Sequence, residues 1–136
     1  MRNLRIILMA ICAAAVLPAF ADSPPDNCSG ASKQEIVDCL QPQLDSRIEQ
    51  ADKLFEVALK YVAESSKETP DAGIDAALAQ SELRAAKRTW EEFAEHECAA
   101  ARELVGIGND RDPVELSCLI NLYDQRILEL RSWRHL

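Results

Sequence analysis

The sequence has few of the residue types that enzymes and metalloproteins commonly use for chemistry. Its 136 residues include only two histidines, His96 and His135, and both methionines, Met1 and Met9, lie near the N-terminus. The rest of the chain therefore lacks the thioether ligands that suit copper(I). It also has no glycine-rich phosphate loop and no Gly-x-Ser-x-Gly motif. We expect no enzyme activity, no catalytic residues, no metal and no cofactor.

Basic residues are also scarce. The chain has 15 Lys and Arg against 23 Asp and Glu. Without Arg2 and Arg5 of the N-terminal segment, 13 bases remain and the net charge is about −10. Such a chain repels nucleic-acid phosphates, so nucleic-acid binding is disfavoured, whereas a basic protein would be attracted to it.

Only one long apolar run is present, and it lies at the N-terminus. Arg2 and Arg5 precede 12 apolar residues at 6–17, and the segment 19–21, Ala-Phe-Ala, is a small-x-small cleavage motif before Asp22. The run is too short to span a bilayer, so we predict a cleaved signal peptide at 1–21. We therefore expect a periplasmic or secreted protein without a membrane anchor. A loop should follow at 22–31, and one domain at 32–136.

Four cysteines follow the predicted signal peptide: Cys28, Cys39, Cys98 and Cys118. An even number in an exported chain indicates two disulfides. Three pairings are possible. We favour Cys28–Cys39 and Cys98–Cys118, because each would close a short segment that enters a helix. A disulfide that closes a loop of this size typically stabilises the fold by about 2–4 kcal/mol.

No segment alternates with period two, and no strand is expected; apolar residues recur instead at steps of three and four. Ser32 and Glu35 form a capping-box signal for the first helical segment. Pro42 is expected to break or restart that helix, which gives a short N-terminal helix before the first long one. The three apolar stripes are Leu44, Ile48, Ala51, Phe55, Ala58 and Val62; Ala79, Leu83, Ala86, Trp90 and Phe93; and Leu116, Ile120, Tyr123, Ile127 and Leu130.

Turn and cap signals separate these stripes. The second helix should begin near Asp71 or Ile74 and end around the glycine-containing segment 106–110. Asp112 is expected to cap the third helix, with Pro113 at its first position. The pattern predicts an all-α protein, an antiparallel bundle of three long helices plus a short N-terminal helix, with two disulfides.

The densest group of chemically capable side chains lies at 89–98. Glu92 and His96 are four residues apart and could share a metal ion, but tight sites usually need three or four ligands. Trp90 and Phe93 should point to the core, which leaves the carboxylates on a solvated acidic face. We favour this face over a metal site.

Three residues near the C-terminus have both a structural and a functional interpretation. Tyr123 is expected in the core with its hydroxyl at the rim. Arg126 is expected to pair with a carboxylate of a neighbouring helix. Trp133 either docks on a partner or covers the end of the bundle.

The spacing Trp90-x2-Phe93-x4-Cys98, then a glycine-bearing loop, then Cys118-x7-Arg126-x3-Leu130, resembles the LprI-like lysozyme-inhibitor domain family. That family consists of small exported bacterial helical proteins with four cysteines. The resemblance extends from Cys28 to about Leu130. The chain has Glu56, Leu59, Lys87, Ala94 and Glu95 where the family prefers asparagine, tyrosine, glutamine, arginine and aspartate.

The resemblance implies an exported protein-binding domain that inhibits a lysozyme and so protects the bacterial cell wall. The acidic charge suits a basic lysozyme as partner. Such inhibition usually requires a group that protrudes into the enzyme's cleft, and the 106–112 loop, with Arg111, is the candidate. The alternative is a non-enzymatic periplasmic structural or envelope-stress domain with an unknown protein or small-molecule ligand.

Overall fold

The computed structural model describes residues 28–30, 32–108 and 110–133, and these contain helices and turns but no strand. The helices are α1 (Lys33–Glu68), α2 (Ala76–Leu104) and α3 (Arg111–Ser132), with a 3-10 turn at Pro70–Ala72. The all-α class and the three long helices are confirmed. The signal peptide predicted at 1–21 and most of the loop predicted at 22–31 lie outside the described residues.

The start of α1 is fixed by the side chain of Ser32. The backbone N–H of Glu35 donates to Ser32 Oγ at 3.3 Å, and the backbone N–H of Ser32 donates to Glu35 Oε2 at 3.0 Å. Two N–H groups that a helix start leaves without partners are thereby satisfied. The predicted capping box is confirmed.

The first helix continues through Pro42, so the prediction of a separate short N-terminal helix is wrong. A proline inside a helix costs about 3 kcal/mol. Leu40 and Leu44 flank Pro42 and are both buried against Ile120 of α3. Each buried leucine contributes about 1.5–3 kcal/mol, so continuous packing outweighs the cost of the proline. The amide of Gln43 also donates to the Cys39 carbonyl at 3.3 Å, within this turn.

The core lies mainly between α1 and α3. Near the first disulfide, Leu40 and Leu44 pack on Ile120. Residues later in α1 pack on residues later in α3, so these two helices run parallel to each other. The second helix, α2, runs antiparallel to α3. The second cluster of buried residues consists of Ala51, Phe55, Leu59, Ile127 and Leu130. The apolar stripes predicted for the first and third helices therefore form the core.

The second helix contributes a narrower face. Its buried residues are Ala94 and Cys98, and Trp90 is half-buried. Phe93 is 51% exposed, so its predicted place in the core is wrong. Cys98 is tied to Cys118, and Ala94 lies one turn before it on the same face. Phe93 is rotated by about 100° from Ala94 around the helix axis and faces solvent.

The third helix begins two residues earlier than the sequence predicted. Asp110, not Asp112, occupies the cap position, and the Val114 N–H donates to the Asp110 carbonyl at 3.0 Å. Pro113 is consequently the third helical residue. It is tolerated there because the first turn of a helix does not need its N–H groups. Asp112 is instead an ion-pair partner of Lys33 on α1.

The connection between α1 and α2 ends at Asp75. The Asp75 side chain accepts a hydrogen bond from the Leu78 N–H at 2.9 Å and so caps α2. Gly73 adopts a left-handed conformation with φ of 66°, which L-residues with side chains disfavour. The second helix therefore begins at Ala76, just beyond the predicted start at Asp71 or Ile74.

Two disulfides join the elements. Cys28–Cys39 ties the segment before α1 to the helix itself, and Cys98–Cys118 ties α2 to α3. These are the two pairs that the sequence favoured. Within the described ranges, no helix combines the length and apolar character needed to cross a membrane.

Candidate functional site

Trp90 on α2 contacts two side chains of α3. Its ring meets the Tyr123 ring edge-on, with centroids 4.9 Å apart and planes at 80°. The Arg126 guanidinium lies 5.4 Å from the centre of the Trp90 ring, a cation–π distance. We call Trp90, Tyr123 and Arg126 the aromatic cluster. It brings together Trp90 and Arg126, two of the residues that carry the family resemblance.

Among the residues that the structure describes, Arg126 pairs with no carboxylate of a neighbouring helix, so that prediction is wrong. Its Nη1 donates to Glu129 Oε2 at 2.6 Å, three residues further along α3. Residues three apart lie one turn above each other and meet without crossing to another helix. The cross-helix contact of Arg126 is with the Trp90 ring.

Lys87 links α2 to α1 directly below this cluster. Its Nζ contacts Glu91 on its own helix and lies 3.1 Å from Asp52 Oδ1 on α1. It also lies 5.8 Å from the centre of the Phe55 ring. Burial acts to lower the pKa of Lys87, but hydrogen bonds to Glu91 and Asp52 outweigh burial, and the pKa is raised.

Tyr123 is half-buried and packs against both groups of core residues. Its pKa is raised, chiefly by burial and then by the nearby negative charge of Glu91. A neutral phenol is therefore favoured, in keeping with its packing role.

Sequence inspection missed the Lys87 pair because charged residues were assigned to solvated faces. The available signal was register. Lys87, Glu91, Ala94 and Cys98 follow one another at steps of four, three and four, so the two charged residues share the face of the buried cysteine. A charge on such a face needs a partner, and Asp52 supplies one.

An open groove of about 680 Å³ runs along α2 beside the aromatic cluster. Trp90 and Phe93 supply aromatic surface, and Arg126 borders the groove from α3. Glu82 contributes a carboxylate at its rim. The remaining lining residues are Ala85, Ala86 and Thr89.

The connection between α2 and α3 is held by ion pairs at its two ends. Arg102 Nη1 donates to Glu115 Oε2 at 2.9 Å, and Arg111 contacts Glu103. The carboxyl of Asp112 has a lowered pKa, mainly through the hydrogen bond from Lys33. Arg111, predicted as a contact with a lysozyme, is therefore directed back onto the end of α2.

Two apolar side chains near this connection are strongly exposed. Leu104 is 88% exposed, and Ile107 is fully exposed between Gly106 and Gly108. The sequence analysis placed Leu104 near a helix end and Ile107 in the candidate 106–112 loop, but it singled out neither side chain. For Ile107 the available signal was its position between Gly106 and Gly108, where no apolar stripe requires an isoleucine.

Residues with metal-binding chemistry do not converge in the described part of the chain. No group of three or more His, Cys, Asp or Glu side chains there is arranged to hold an ion. His96 is exposed, and Cys98 is consumed by its disulfide.

Trp133 borders a small groove of about 120 Å³ at the end of the bundle away from the disulfides. Its neighbours there include Tyr61 on α1 and Leu130 on α3. Trp133 is half-buried, so it covers part of the buried Leu130.

Residues 26–130 match a protein-family model described as lysozyme inhibitor LprI. No curated protein and no solved structure matches the chain. The matched segment contains both disulfides, the aromatic cluster and the connection between α2 and α3.

Proposed function

The chain belongs to the LprI lysozyme-inhibitor family, and on this premise we propose that it is an exported protein that binds a lysozyme and blocks it. Blocking the enzyme would protect the bacterial cell wall from hydrolysis. The observation that carries the proposal is the extent of the family match, which runs from 26 to 130 and covers all but the last two residues of the three helices.

Departures from the family pattern are compatible with this function. Lys87 stands where the resemblance implies glutamine, yet it forms an ion pair with Asp52 that joins α2 to α1 and a second one with Glu91 on its own helix. Ala94, in place of arginine, is buried at the contact between α2 and α3. Both residues therefore lie at contacts within the helical scaffold.

The proposed mechanism is steric and needs no chemical step by this chain. Disulfides and ion pairs fix the helices, so little conformational freedom would be lost when the domain binds. The formal net charge of −8 would attract a basic lysozyme over long distances and speed association. We therefore propose a binding protein and not an enzyme.

We propose an extracytoplasmic location for this interaction. The predicted signal peptide at 1–21 would direct export. Two disulfides persist in oxidising compartments such as the periplasm and are rare in the cytosol. Lysozymes reach the bacterial cell wall in the same compartment.

The experiment is a turbidity assay of cell-wall lysis with the oxidised protein and a panel of lysozymes of different types. We expect lysis by at least one basic lysozyme to fall with increasing protein. An unrelated acidic protein of similar size and charge controls for non-specific adsorption. If micromolar excess leaves every lysozyme fully active, the proposal is wrong.

A further inference from the structure

One face of α2 is exposed along its whole length. Residues at helical steps of four and seven share this face, which we call the α2 stripe. All of them are exposed in the structure. The α2 stripe consists of Leu78, Glu82, Ala86, Phe93, Glu97 and Leu104.

The α2 stripe is distinct from the face that packs in the bundle. Ala94 and Cys98 face the core, whereas Leu78 and Leu104 are 57% and 88% exposed. Phe93 is 51% exposed at the middle of the stripe. Three large apolar side chains thus lie uncovered along about 39 Å of helix.

The charge of the α2 stripe has one sign. Its two charged residues, Glu82 and Glu97, form no ion pair within the described part of the chain. The basic residues nearest in sequence, Arg84 to Glu82 and Arg102 to Glu97, each lie more than 90° away from that glutamate around the helix axis. An approaching partner would therefore meet carboxylates and apolar surface without an opposing cation on the stripe.

The groove beside Trp90 opens onto the α2 stripe, since Glu82, Ala86 and Phe93 belong to both. Basic side chains of a partner would meet the Phe93 ring near one end of the groove and the Glu82 carboxylate about 16 Å away along α2. Arg126 also borders the groove, but its guanidinium is already paired with Glu129. Aromatic faces attract cations, and carboxylates form charge-assisted hydrogen bonds with them. The groove and the α2 stripe are therefore suited to a surface that carries several basic side chains among apolar ones.

We propose that the α2 stripe, together with this groove, is the surface that docks on a basic lysozyme. The inference rests on the proposed function and names the contact surface. Charge complementarity selects the occupant, because a basic protein supplies the cations that Glu82 and Glu97 lack. A second copy of this chain would place like charges of two stripes against each other.

The test compares two charge-matched double variants of the full oxidised chain. Glu82→Lys/Glu97→Lys reverses the charge of the α2 stripe. Glu56→Lys/Glu68→Lys reverses the charge of two exposed glutamates on α1. The probe is a basic c-type lysozyme, with dissociation constants from calorimetry and inhibition from the lysis assay. The stripe variant should bind roughly a hundredfold more weakly, and the control variant should change roughly twofold.

Phe93→Ala supplies a second variant that leaves the net charge unchanged. Its ring is half exposed, so folding should be preserved, and binding should weaken by roughly tenfold if the ring anchors the interface. Circular dichroism checks that all variants remain helical.

Three outcomes would overturn the inference, and they are separable. If wild-type protein inhibits but stripe and control variants are equal, the surface is wrong and the proposed function stands. Without binding or inhibition by wild-type protein, the proposed function fails and the assigned occupant fails with it. A wild-type dimer that Phe93→Ala dissociates would make a second copy the occupant.

Discussion

Replacing Pro42 with alanine should stabilise the folded protein. Pro42 is exposed and lies inside the continuous helix α1. Proline is about 3 kcal/mol less favourable than alanine in a helix interior. Alanine restores an N–H that can donate to the Asp38 carbonyl one turn earlier, and at an exposed position it leaves no cavity.

An effect on the unfolded state makes the gain in unfolding free energy smaller. Proline restricts the unfolded state, an effect worth about 0.4–1 kcal/mol that alanine loses. The net expectation is therefore a gain of about 2 kcal/mol, combining both effects. For a domain of this length, this corresponds to a rise in Tm of about 8 °C.

Thermal and urea unfolding of the oxidised protein, followed by circular dichroism, measures the effect. Gln50→Ala is the matched control, since Gln50 is exposed on the same helix, and it should gain only a few tenths of a kcal/mol. A lower Tm for Pro42→Ala would refute the reasoning. It would indicate that a second helix starts at Pro42, where proline is favourable.

Further expectations concern the core, the pH dependence and the charge. Ile120→Ala should lose about 2–5 kcal/mol of unfolding free energy in urea, because Ile120 is fully buried, and a loss below about 1 kcal/mol would contradict its place in the core. The pKa values of Lys87 and Tyr123 are raised on folding, so the stability they contribute is present below their unfolded values of about 10 and is lost as pH rises through the folded values. Urea unfolding between about pH 9 and about pH 11.5 should show this loss of unfolding free energy. The double variant Lys87→Met/Tyr123→Phe should lose less over the same range. If the unfolding free energies of wild type and variant fall equally with pH, the two residues do not cause the loss. Stopped-flow association with a basic lysozyme should slow between about 0.05 M and about 0.5 M salt, and a salt-independent rate would exclude electrostatic attraction.

The helices that form the core could be predicted from sequence because their apolar periodicity reports burial directly. Leu44, Phe55, Ile120 and Leu130 were placed in stripes, and all are buried. The Ser32 cap was also predictable, since its partner lies only three residues away. Local interactions of this kind need no knowledge of the tertiary structure.

The errors arose where tertiary contacts override a local rule. Pro42 breaks helices in general, but the buried leucines on either side hold α1 continuous. The sequence around Asp112 is typical of a helix cap, but the Asp112 carboxylate forms an ion pair with Lys33 of α1 instead.

Side-chain partners within the candidate site were less predictable still. The cation–π contact of Arg126 with Trp90 depends on the offset between α2 and α3, which the Cys98–Cys118 disulfide helps to set. Phe93 was displaced from the core by the register of the same contact. The spacing of residues along one helix does not predict how far that helix is shifted relative to its neighbour.

The central claim is that this chain binds a lysozyme and thereby stops cell-wall lysis. The most direct measurement is one titration of a basic lysozyme with the oxidised protein, recording complex formation and residual lytic activity in the same samples. We predict a one-to-one complex and a loss of lysis proportional to the fraction of enzyme bound. A folded protein with both disulfides intact that forms no complex and leaves lysis unchanged would contradict the claim.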